Sequence, residues 1–333
     1  MPRAARFYER EGPDGVTVDK IDRPTPAADQ VVVEVEAAGV NRVDTVFTRG
    51  GFENVYPNSR LRPPSLPHTL GSDFAGTVVE TGETVRGFDE GDRVLGAGLG
   101  AKFPGTYAEY VFAPVAHVAH LPDNVGFKEA AGVGHSGVTT WNGLVIHGDL
   151  KPTEDCLIHG GSGGVGHIAV QLADVMGSDV IATAGSEDHI ERIRELGAKD
   201  AFNYNLDREV LKEKVLAISD GGPDLVFDYH VHEYLEFDLE IIPLNGRIIV
   251  VEGAETSFDH QHLRLALWKD AKIQATGMFN NPDISGTLAN LVQLMAGGDL
   301  TIEVARTYSL DEASEALKDI EEESYNGKLI IEP

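Results

Sequence analysis

Cysteine is almost missing from this sequence of 333 residues, which carries it only at Cys156. A single cysteine forms no internal disulfide and cannot build a cysteine-rich zinc lobe. Basic residues are also few, because 27 Lys and Arg face 54 Asp and Glu and leave a formal net charge of −27. This charge repels the phosphates of nucleic acids and of anionic membrane surfaces, so we expect neither as a partner.

Apolar runs of membrane-spanning length are missing too. The longest apolar segment, Val165 to Met176, is interrupted by His167, Gln171 and Asp174. It is shorter than the ~20 residues that a spanning helix needs. Residues 1–13 carry several charges and no apolar run, which is not the pattern of a signal peptide. We therefore predict a protein of the cytoplasm.

The length predicts about two domains, and the sequence pattern changes near Pro122. Before this residue, short β-branched segments are separated by Gly and Pro, which is typical of a small barrel. We predict strands at Val31–Val35, Ala75–Glu80, Asp92–Leu95 and Tyr107–Ala113, and a surface loop over Gly50–Pro67.

After Pro122, strands of nearly continuous apolar character alternate with helical stretches. Such strands are covered on both faces, which indicates a doubly wound parallel α/β domain. We predict strands at 156–159, 179–184, 201–204, 224–228, 247–251, 272–277 and 328–331, and helices at 165–176, 190–196, 208–218, 287–295 and 311–323. The strand over 272–277 would lie at the sheet edge, and pairing of two such edges favours a homodimer or homotetramer.

A glycine-rich segment, HGGSGGVG over residues 159–166, follows a predicted strand and opens a predicted helix. Three of its glycines recur at three-residue intervals, in the context of a dinucleotide fingerprint. Glycine is needed because a diphosphate must approach bare backbone N–H groups, and the helix start adds partial positive charge. The residues predicted to bind a nicotinamide dinucleotide are Gly160, Ser162, Gly163, Gly164, Val165 and Gly166.

The end of the second strand in such a domain selects the cofactor. A carboxylate there binds the ribose hydroxyls of NAD, whereas a small or basic environment accepts the extra phosphate of NADP. This strand ends in Ala184 without a carboxylate, although Glu187 and Asp188 follow shortly after. The pattern favours NADPH over NADH, with the added phosphate near Gly185, Ser186, His189, Arg192 and Tyr204.

An ordered set of motifs resembles the medium-chain dehydrogenase/reductase superfamily, and within it the zinc-free quinone oxidoreductases of the ζ-crystallin type. The motifs are AAGVNRVD at 37–44, LGSDFAG at 70–76, GDRV at 91–94, GTYAEY at 105–110, the glycine motif, GRIIVV at 246–251 and GKLII at 327–331. The resemblance covers nearly the whole chain. It implies a GroES-like β-barrel catalytic domain over 1–123, a Rossmann NADP-binding domain over 124–279, and a return to the catalytic domain over 280–333.

The same resemblance implies roles for individual residues. Asn41 and Thr139 match an asparagine and a threonine near the nicotinamide. Asp44 matches a nearby acidic position, and a loop cap is its alternative role. The two late strand ends that hold the nicotinamide match Val251, Gly253, Ala254, Met278 and Phe279.

Zinc is not expected. Zinc-dependent relatives have Cys at the position of Asn41 and a His-Glu pair at Ser72-Asp73, and neither position supplies a thiolate or an imidazole here. Without a Lewis acid, the favoured acceptor is one that spreads charge over its own π-system. We predict hydride transfer from NADPH to a quinone or another conjugated carbonyl.

Two departures from the family keep alternatives open. Val46 stands where relatives often have a tyrosine, and the adjacent Phe47 has no hydroxyl either. The segment Tyr229–Tyr234 has large side chains where relatives have smaller ones, and alignment places Tyr234 near the cofactor. The alternative functions are an alcohol dehydrogenase or enoyl-thioester reductase of the same fold, and a non-catalytic NADPH-binding protein.

The acidic residues are spread along the chain, and arginine outnumbers lysine. A dispersed anionic surface suits a halophilic protein, whose self-repulsion is screened by concentrated salt. An ordinary acidic cytosolic protein is the alternative. We predict that the melting temperature rises by several degrees between dilute buffer and molar KCl, with sucrose of equal osmolality as a non-screening control. Full stability in dilute buffer would contradict salt adaptation.

Overall fold

A computed structural model describes residues 1–51, 65–251, 258–322 and 325–333. The strands in these ranges are β1 (Arg3–Phe7), β2 (Val16–Lys20), β3 (Gln30–Gly39), β4 (His68–Thr69), β5 (Asp73–Thr81), β6 (Arg93–Ala97), β7 (Tyr110–Pro114), β8 (Val118–His120), β9 (Asp155–Ile158), β10 (Asp179–Ala184), β11 (Asp200–Asn203), β12 (Leu225–Asp228), β13 (Arg247–Val250), β14 (Lys272–Ala275), β15 (Val304–Ser309) and β16 (Lys328–Glu332).

The α-helices in the same ranges are α1 (Arg42–Thr48), α2 (Phe127–Trp141), α3 (Gly166–Val175), α4 (Glu187–Glu195), α5 (Arg208–Ile218), α6 (Val231–Ile241), α7 (His260–Lys269), α8 (Ile284–Gly297) and α9 (Ala313–Glu322). A π-helical segment over Asn142–His147 continues α2. None of the described helices is long and apolar enough to cross a membrane. Most of the predicted loop over 50–67 lies outside the described ranges, and so does residue 323, the end of a predicted helix.

The chain forms two compact units, of which the first contains Met1–Val138 and Asn281–Pro333. Strand β3 organises this unit, because it pairs in antiparallel fashion with β5, β7 and β16. Its apolar residues Val31, Val32 and Val33 are fully buried. The seven-stranded sheet follows the order β15-β16-β3-β5-β6-β8, with β7 also on β3, and a second sheet has the order β2-β1-β4. The C-terminal strands therefore complete the sheet that the N-terminal part begins.

The predicted strand at Tyr107–Ala113 is wrong at its start, because β7 begins at Tyr110. The preceding residues pair with β1 instead: the Ala5 N–H donates to the Tyr107 carbonyl at 2.8 Å, and Ala4 forms an isolated bridge with Ala108. This detour turns the Tyr107 ring into the core, where it is fully buried.

The second unit, Thr139–Asn280, contains a six-stranded sheet with the order β11-β10-β9-β12-β13-β14. All its pairs are parallel. Strand β12 is buried at every position, so both faces of the sheet centre are covered. This confirms the predicted doubly wound α/β architecture. Strand β14 is an exposed edge strand, and it ends at Ala275 rather than at the predicted Gly277.

Helix α4 begins at Glu187, three residues before the predicted Ile190. The physical reason is its cap: the Ser186 hydroxyl accepts a hydrogen bond from the His189 N–H, which satisfies one of the open donors of the first turn. A serine before two acidic residues is a helix-start signal that the apolar pattern alone does not contain.

Helix α2 is absent from the sequence predictions because its glycines lower helix propensity. Tertiary packing explains why glycine is present. A Cβ at Gly134 would lie 2.5 Å from the Cβ of Asp73, and a Cβ at Gly137 would lie 2.8 Å from a methyl carbon of Leu291. The helix is thus held by close packing that only small residues permit, and propensity is overridden.

Candidate cofactor and active site

The glycine motif forms a tight loop between β9 and α3. Gly160 has φ +61, a left-handed conformation that favours glycine. A Cβ at Gly166 would lie 2.2 Å from the Gly160 carbonyl oxygen, so a side chain there would push α3 away from β9. The structure therefore requires glycine at both predicted positions, for the turn and for the helix–strand approach.

Hydrogen bonds fix this loop to the next strand. The Gly160 N–H donates to the Thr183 hydroxyl at 3.0 Å, and the Gly161 N–H donates to the Thr183 carbonyl at 2.8 Å. The Gly163 N–H donates back to the Gly160 carbonyl at 3.1 Å. Thr183 is a supporting residue that sequence reasoning missed, since a threonine inside a strand carries no distinctive signal.

The loop lies at the point where the sheet changes direction of winding. Strands β9 and β12 are adjacent, but the chain leaves β9 toward β10 on one side and leaves β12 toward β13 on the other. Ligands of open α/β sheets bind in the crevice outside the strand ends at such a point. At the start of α3, the His167 N–H donates to the Gly163 carbonyl at 2.9 Å and the Ala169 N–H donates to the Val165 carbonyl at 3.0 Å, so a ligand would use the loop N–H groups that precede them. Diphosphate oxygens are suitable partners for these donors.

The predicted phosphate-selecting residues meet at the end of β10. The Ser162 hydroxyl lies 3.3 Å from Nδ1 of His189, which ties the glycine loop to the first turn of α4. The Tyr204 ring is 40% exposed, and its hydroxyl is close enough to Gly185 that a Cβ there would lie 2.3 Å away. Glu187 is exposed. The structure thus brings a hydroxyl, an imidazole and a phenol together at this strand end.

The residues predicted for the nicotinamide end are only partly described. The Val251 N–H donates to the Asp228 carbonyl at 2.9 Å. Gly253 and Ala254 lie outside the described residues. Met278 is buried within a short 3-10 turn that also contains Phe279, and Thr139 is buried on α2.

In the first unit, Asn41 sits in a buried polar network and is only 4% exposed. Its Nδ2 donates to Oδ1 of Asp73 at 3.0 Å and also approaches the Gly39 carbonyl and the Ser72 hydroxyl. Its Oδ1 accepts a hydrogen bond from Nζ of Lys328 at 2.6 Å. Both ends of this amide are therefore held by the protein itself.

Lys328 is the member of this network that sequence reasoning missed. It is 3% exposed, and its ammonium also donates to the Val40 carbonyl at 2.9 Å and to the Ser136 hydroxyl at 3.0 Å. Burial lowers the pKa of Lys328, and the nearby carboxyl of Asp73 opposes this change. The only sequence signal is a lysine at the start of an apolar strand, which usually indicates an exposed position.

Asp44 is fully buried at the third position of α1. Its Oδ2 accepts hydrogen bonds from the Asn41 N–H at 3.0 Å and from the Tyr107 hydroxyl at 2.7 Å. This geometry corresponds to the helix-cap alternative, and a catalytic role for Asp44 stays a prediction. Burial raises the pKa of Asp44 to about 7, although the Tyr107 hydrogen bond lowers it.

A second buried polar cluster lies under the glycine loop. Nε2 of His159 is 2.8 Å from Oδ1 of Asp238, with both side chains fully buried. Burial lowers the pKa of His159 to about 4 and raises the pKa of Asp238 well above its usual range. The His159 imidazole is therefore uncharged at neutral pH, and its contact with Asp238 is a hydrogen bond rather than an ion pair.

Tyr234 packs against this cluster. Its ring centroid is 4.1 Å from the His159 ring, and the Arg208 guanidinium lies 3.9 Å over it. It is 4% exposed. Helix α6 directs this ring into the core, and the placement of Tyr234 beside the cofactor stays a prediction from the resemblance.

No group of three or more His, Cys, Asp or Glu side chains in the described ranges has a metal-binding arrangement.

Two family models match the chain. The alcohol dehydrogenase GroES-like domain matches residues 27–123, and the zinc-binding dehydrogenase model matches residues 164–297.

Comparison with individual proteins gives full-length similarity. The quinone oxidoreductase of Homo sapiens is 31% identical over 335 aligned positions, covering 99% of this chain and 98% of that protein. A solved NAD-dependent alcohol dehydrogenase has a TM-score of 0.89 at 28% identity and covers 99% of both chains. The Escherichia coli quinone oxidoreductase in complex with NADPH has a TM-score of 0.87 at 25% identity, covering 99% of this chain and 100% of that one.

Buried carboxyls and imidazoles of the first unit should affect stability in opposite directions. The Asp44 pKa is raised from 3.8 to about 7, so its stabilising contribution is complete below pH 3.8 and is lost as the pH rises through 7. The His68 pKa is lowered from 6.5 to about 4, mainly by burial. Its contribution is complete above pH 6.5 and is lost as the pH falls through 4.

We predict that Asp44→Asn and His68→Gln change the pH dependence of the free energy of unfolding with opposite signs. Between about pH 4.5 and 6.5, each difference from the parent protein should change by about 1.4 kcal/mol per pH unit. Asp44→Asn gains relative stability as the pH rises, and His68→Gln gains it as the pH falls. Urea unfolding across this range measures both, and parallel curves for all three proteins would contradict the assignment.

Proposed function

Because this chain belongs to the quinone oxidoreductase family of the medium-chain dehydrogenases/reductases, we propose that it reduces quinones or other conjugated carbonyls with NADPH and without zinc. The observation that carries this proposal is the glycine loop at the winding switch of the second unit. Its close backbone approach excludes side chains at Gly166 and leaves amide donors where a diphosphate binds.

The residues fit a bound NADP-type cofactor. Bound NADPH supplies a hydride to the acceptor. Gly163 and Gly164 would allow the close approach of the diphosphate, the N–H groups of Gly164 and Val165 would bind it, and the α3 start would add partial positive charge. Thr183 keeps the loop in place through its two hydrogen bonds. These contacts bind and orient the cofactor and take no part in the transfer itself.

NADPH is preferred over NADH in this proposal because of the end of β10. The strand ends in Ala184 and is followed by Gly185, so its tip offers no carboxylate to the ribose hydroxyls. Ser186, His189 and Tyr204 offer hydrogen bonds to an added phosphate. The structure of the similar Escherichia coli quinone oxidoreductase contains NADPH, which supports the same choice.

Zinc independence is supported by the positive charge already present beside Asn41. The buried Lys328 ammonium donates to Asn41 Oδ1, and Asn41 Nδ2 donates to Asp73. A divalent cation in this place would meet an ammonium and an amide instead of thiolate or imidazole ligands. Charge on the acceptor oxygen must then be spread over the acceptor's own π-system or carried by hydrogen bonds.

A proton is also needed when a conjugated carbonyl is reduced. Ser72 and His135 form a hydroxyl–imidazole pair at 2.9 Å next to Asn41, and the His135 ring is half-buried. Burial and Lys328 lower the pKa of His135 to about 3, so this imidazole is uncharged at neutral pH. The pair can pass a proton from solvent only by exchanging tautomers, and water is the alternative source.

An alcohol dehydrogenase is the second candidate function, favoured by the similarity to the solved NAD-dependent alcohol dehydrogenase. An enoyl-thioester reductase and a non-catalytic NADPH-binding protein remain alternatives from the sequence. A cytoplasmic location and salt adaptation also stay part of the proposal, and the −27 charge supports the latter.

We propose further that the protein is a homodimer or homotetramer in which the β14 edges of two copies pair. All four residues of β14 are exposed. Next to it in sequence, α7 exposes Leu263, Leu267 and Trp268, the last two at 69% each. Apolar exposure beside an unpaired strand edge suits a self-complementary contact between two copies.

The cofactor and acceptor are tested by following NADPH and NADH oxidation with a quinone, an enone, an acyl thioester and a ketone. We expect turnover with the quinone or enone and a lower KM for NADPH than for NADH. His189→Ala should raise the KM for NADPH about tenfold, because a hydrogen bond to a charged phosphate is lost. The KM for NADH should stay unchanged.

A KM for NADH below that for NADPH would contradict the cofactor choice. Turnover of a secondary alcohol or its ketone, without turnover of conjugated acceptors, would favour the alcohol dehydrogenase. Tight NADPH binding without reduction of any acceptor would favour the non-catalytic protein.

The oligomer is tested by light scattering. The parent protein should have at least twice the chain mass of 35.9 kDa. Trp268→Asp should shift it toward the monomer, because the charge would be buried in the contact. Val210→Asp is a matched control, since Val210 is 41% exposed on α5, the helix that follows β11 at the sheet edge opposite to β14. A monomeric parent protein would contradict the proposal.

A further inference from the structure

Tyr229 bridges the two strand ends at the winding switch of the second unit. It directly follows β12, whereas Gly160 lies just beyond β9, the adjacent strand. The Tyr229 hydroxyl donates a hydrogen bond to the Gly160 carbonyl. The side chain is half-buried, in contrast to the fully buried Asp228 before it. The phenol therefore crosses the mouth of the crevice rather than filling the core beneath it.

The phenol lies against the glycines of the cofactor loop. A Cβ at Gly160 would be 2.6 Å from the Tyr229 hydroxyl oxygen, and a Cβ at Gly163 would be 3.0 Å from it. The Tyr229 hydroxyl thus occupies part of the space that side chains at positions 160 and 163 would fill. A diphosphate must approach the same bare backbone, so the phenol and the diphosphate compete for one surface.

The loop does not need this hydrogen bond to keep its conformation. The Gly160 carbonyl already accepts from the Gly163 N–H at 3.1 Å, and Thr183 holds Gly160 and Gly161. The Tyr229 hydroxyl is a second donor to a carbonyl that is already paired. The Gly160 carbonyl therefore keeps one hydrogen bond when the phenol turns away.

The backbone next to Tyr229 is fixed by hydrogen bonds, and the Tyr229 ring lies 4.7 Å from the His230 ring, so the phenol leaves both Gly160 and this ring contact when it moves. The His230 N–H donates to Oδ1 of Asp228 at 2.6 Å, and the Asp228 carbonyl accepts from the Val251 N–H at 2.9 Å. Rotation about the χ1 bond of Tyr229 is therefore the simplest way to clear the crevice. Such rotations are fast compared with enzyme turnover.

We propose that Tyr229 is a gate for the dinucleotide: the phenol closes the crevice while it is bonded to Gly160, and it must turn away before the diphosphate binds. This inference rests on the proposed function of the glycine loop. The gate affects NADPH and NADH equally, because it acts at the diphosphate and not at the end of β10, where Ser186 and His189 lie.

The gate predicts that removal of the Tyr229 hydroxyl raises the association rate constant for the dinucleotide. Loss of a contact with the bound ligand would instead raise the dissociation rate constant. The hydrogen bond to Gly160, at the ordinary strength of a neutral bond, increases the preference for the closed position about fivefold and lowers the association rate constant by that factor. Tyr229→Phe should therefore raise the association rate constant about fivefold, and Tyr229→Ser, which also removes the ring, should raise it at least as much. The dissociation rate constant should stay unchanged for both.

Stopped-flow fluorescence of NADPH and NADH binding to the full chain measures both rate constants. Tyr8→Phe is the matched control, because it removes a tyrosine hydroxyl bonded to Asp19 at 2.8 Å in the first unit. It should leave both rate constants unchanged. The ratio of the NADPH and NADH association rate constants should also be the same in the parent protein and the Tyr229 variants.

The outcomes separate the gate from the proposed function. If the parent protein binds NADPH and the Tyr229 variants bind no faster, or dissociate faster, the gate is wrong and the proposed function stands. If neither the parent nor Tyr229→Ser binds either nucleotide, both are wrong. If only the Tyr229 variants bind measurably, the gate is supported in its strongest form. Circular dichroism and melting of Tyr229→Phe check that the variant is folded.

Discussion

The second unit depends on the close approach of the α3 backbone to the backbone of the turn after β9, with no side chain between them. Helix α3 begins over the turn that ends β9, and a single methyl group at Gly166 would overlap the Gly160 carbonyl. Separation of the two would displace the first-turn N–H groups of α3 from the winding switch. The hydrogen bonds that Thr183 accepts from Gly160 and Gly161, and the one that the Tyr229 phenol donates to Gly160, form because the loop lies this close to the neighbouring strand ends.

The first unit depends on a different constraint, the burial of a cation. Lys328 brings an ammonium from the C-terminal strand into the interior, where Asn41, Ser136 and a backbone carbonyl accept its hydrogen bonds. An unpaired charge in this position would be strongly unfavourable. The nearby carboxyls of Asp73 and Asp44 offset part of that cost. The last residues of the chain thereby fix the orientation of a side chain near its beginning.

The local pattern of the sequence predicted much of the fold. Strand β10 has its predicted bounds, and helix α5 matches its prediction over Arg208–Ile218. The glycine spacing located the tight loop between β9 and α3, because this motif needs only local backbone geometry and a strand and a helix on either side. Prediction failed for α2, whose glycines are explained by contacts with Asp73 and Leu291, and at Tyr107, whose neighbours pair with a strand a hundred residues away.

The sequence by itself therefore determined the alternation of strands and helices in the second unit, the glycine loop, the family and the impossibility of an internal disulfide, since these follow from neighbouring residues and composition. Only the tertiary structure decided that Lys328 reaches Asn41, that Ser72 meets His135, that Tyr234 is a core residue and that Tyr229 lies across Gly160. Each of these contacts joins residues that are remote in sequence or selects one of several side-chain directions. Remote contacts and side-chain directions depend on the path of the packed backbone, which local propensity and hydrophobic periodicity do not specify.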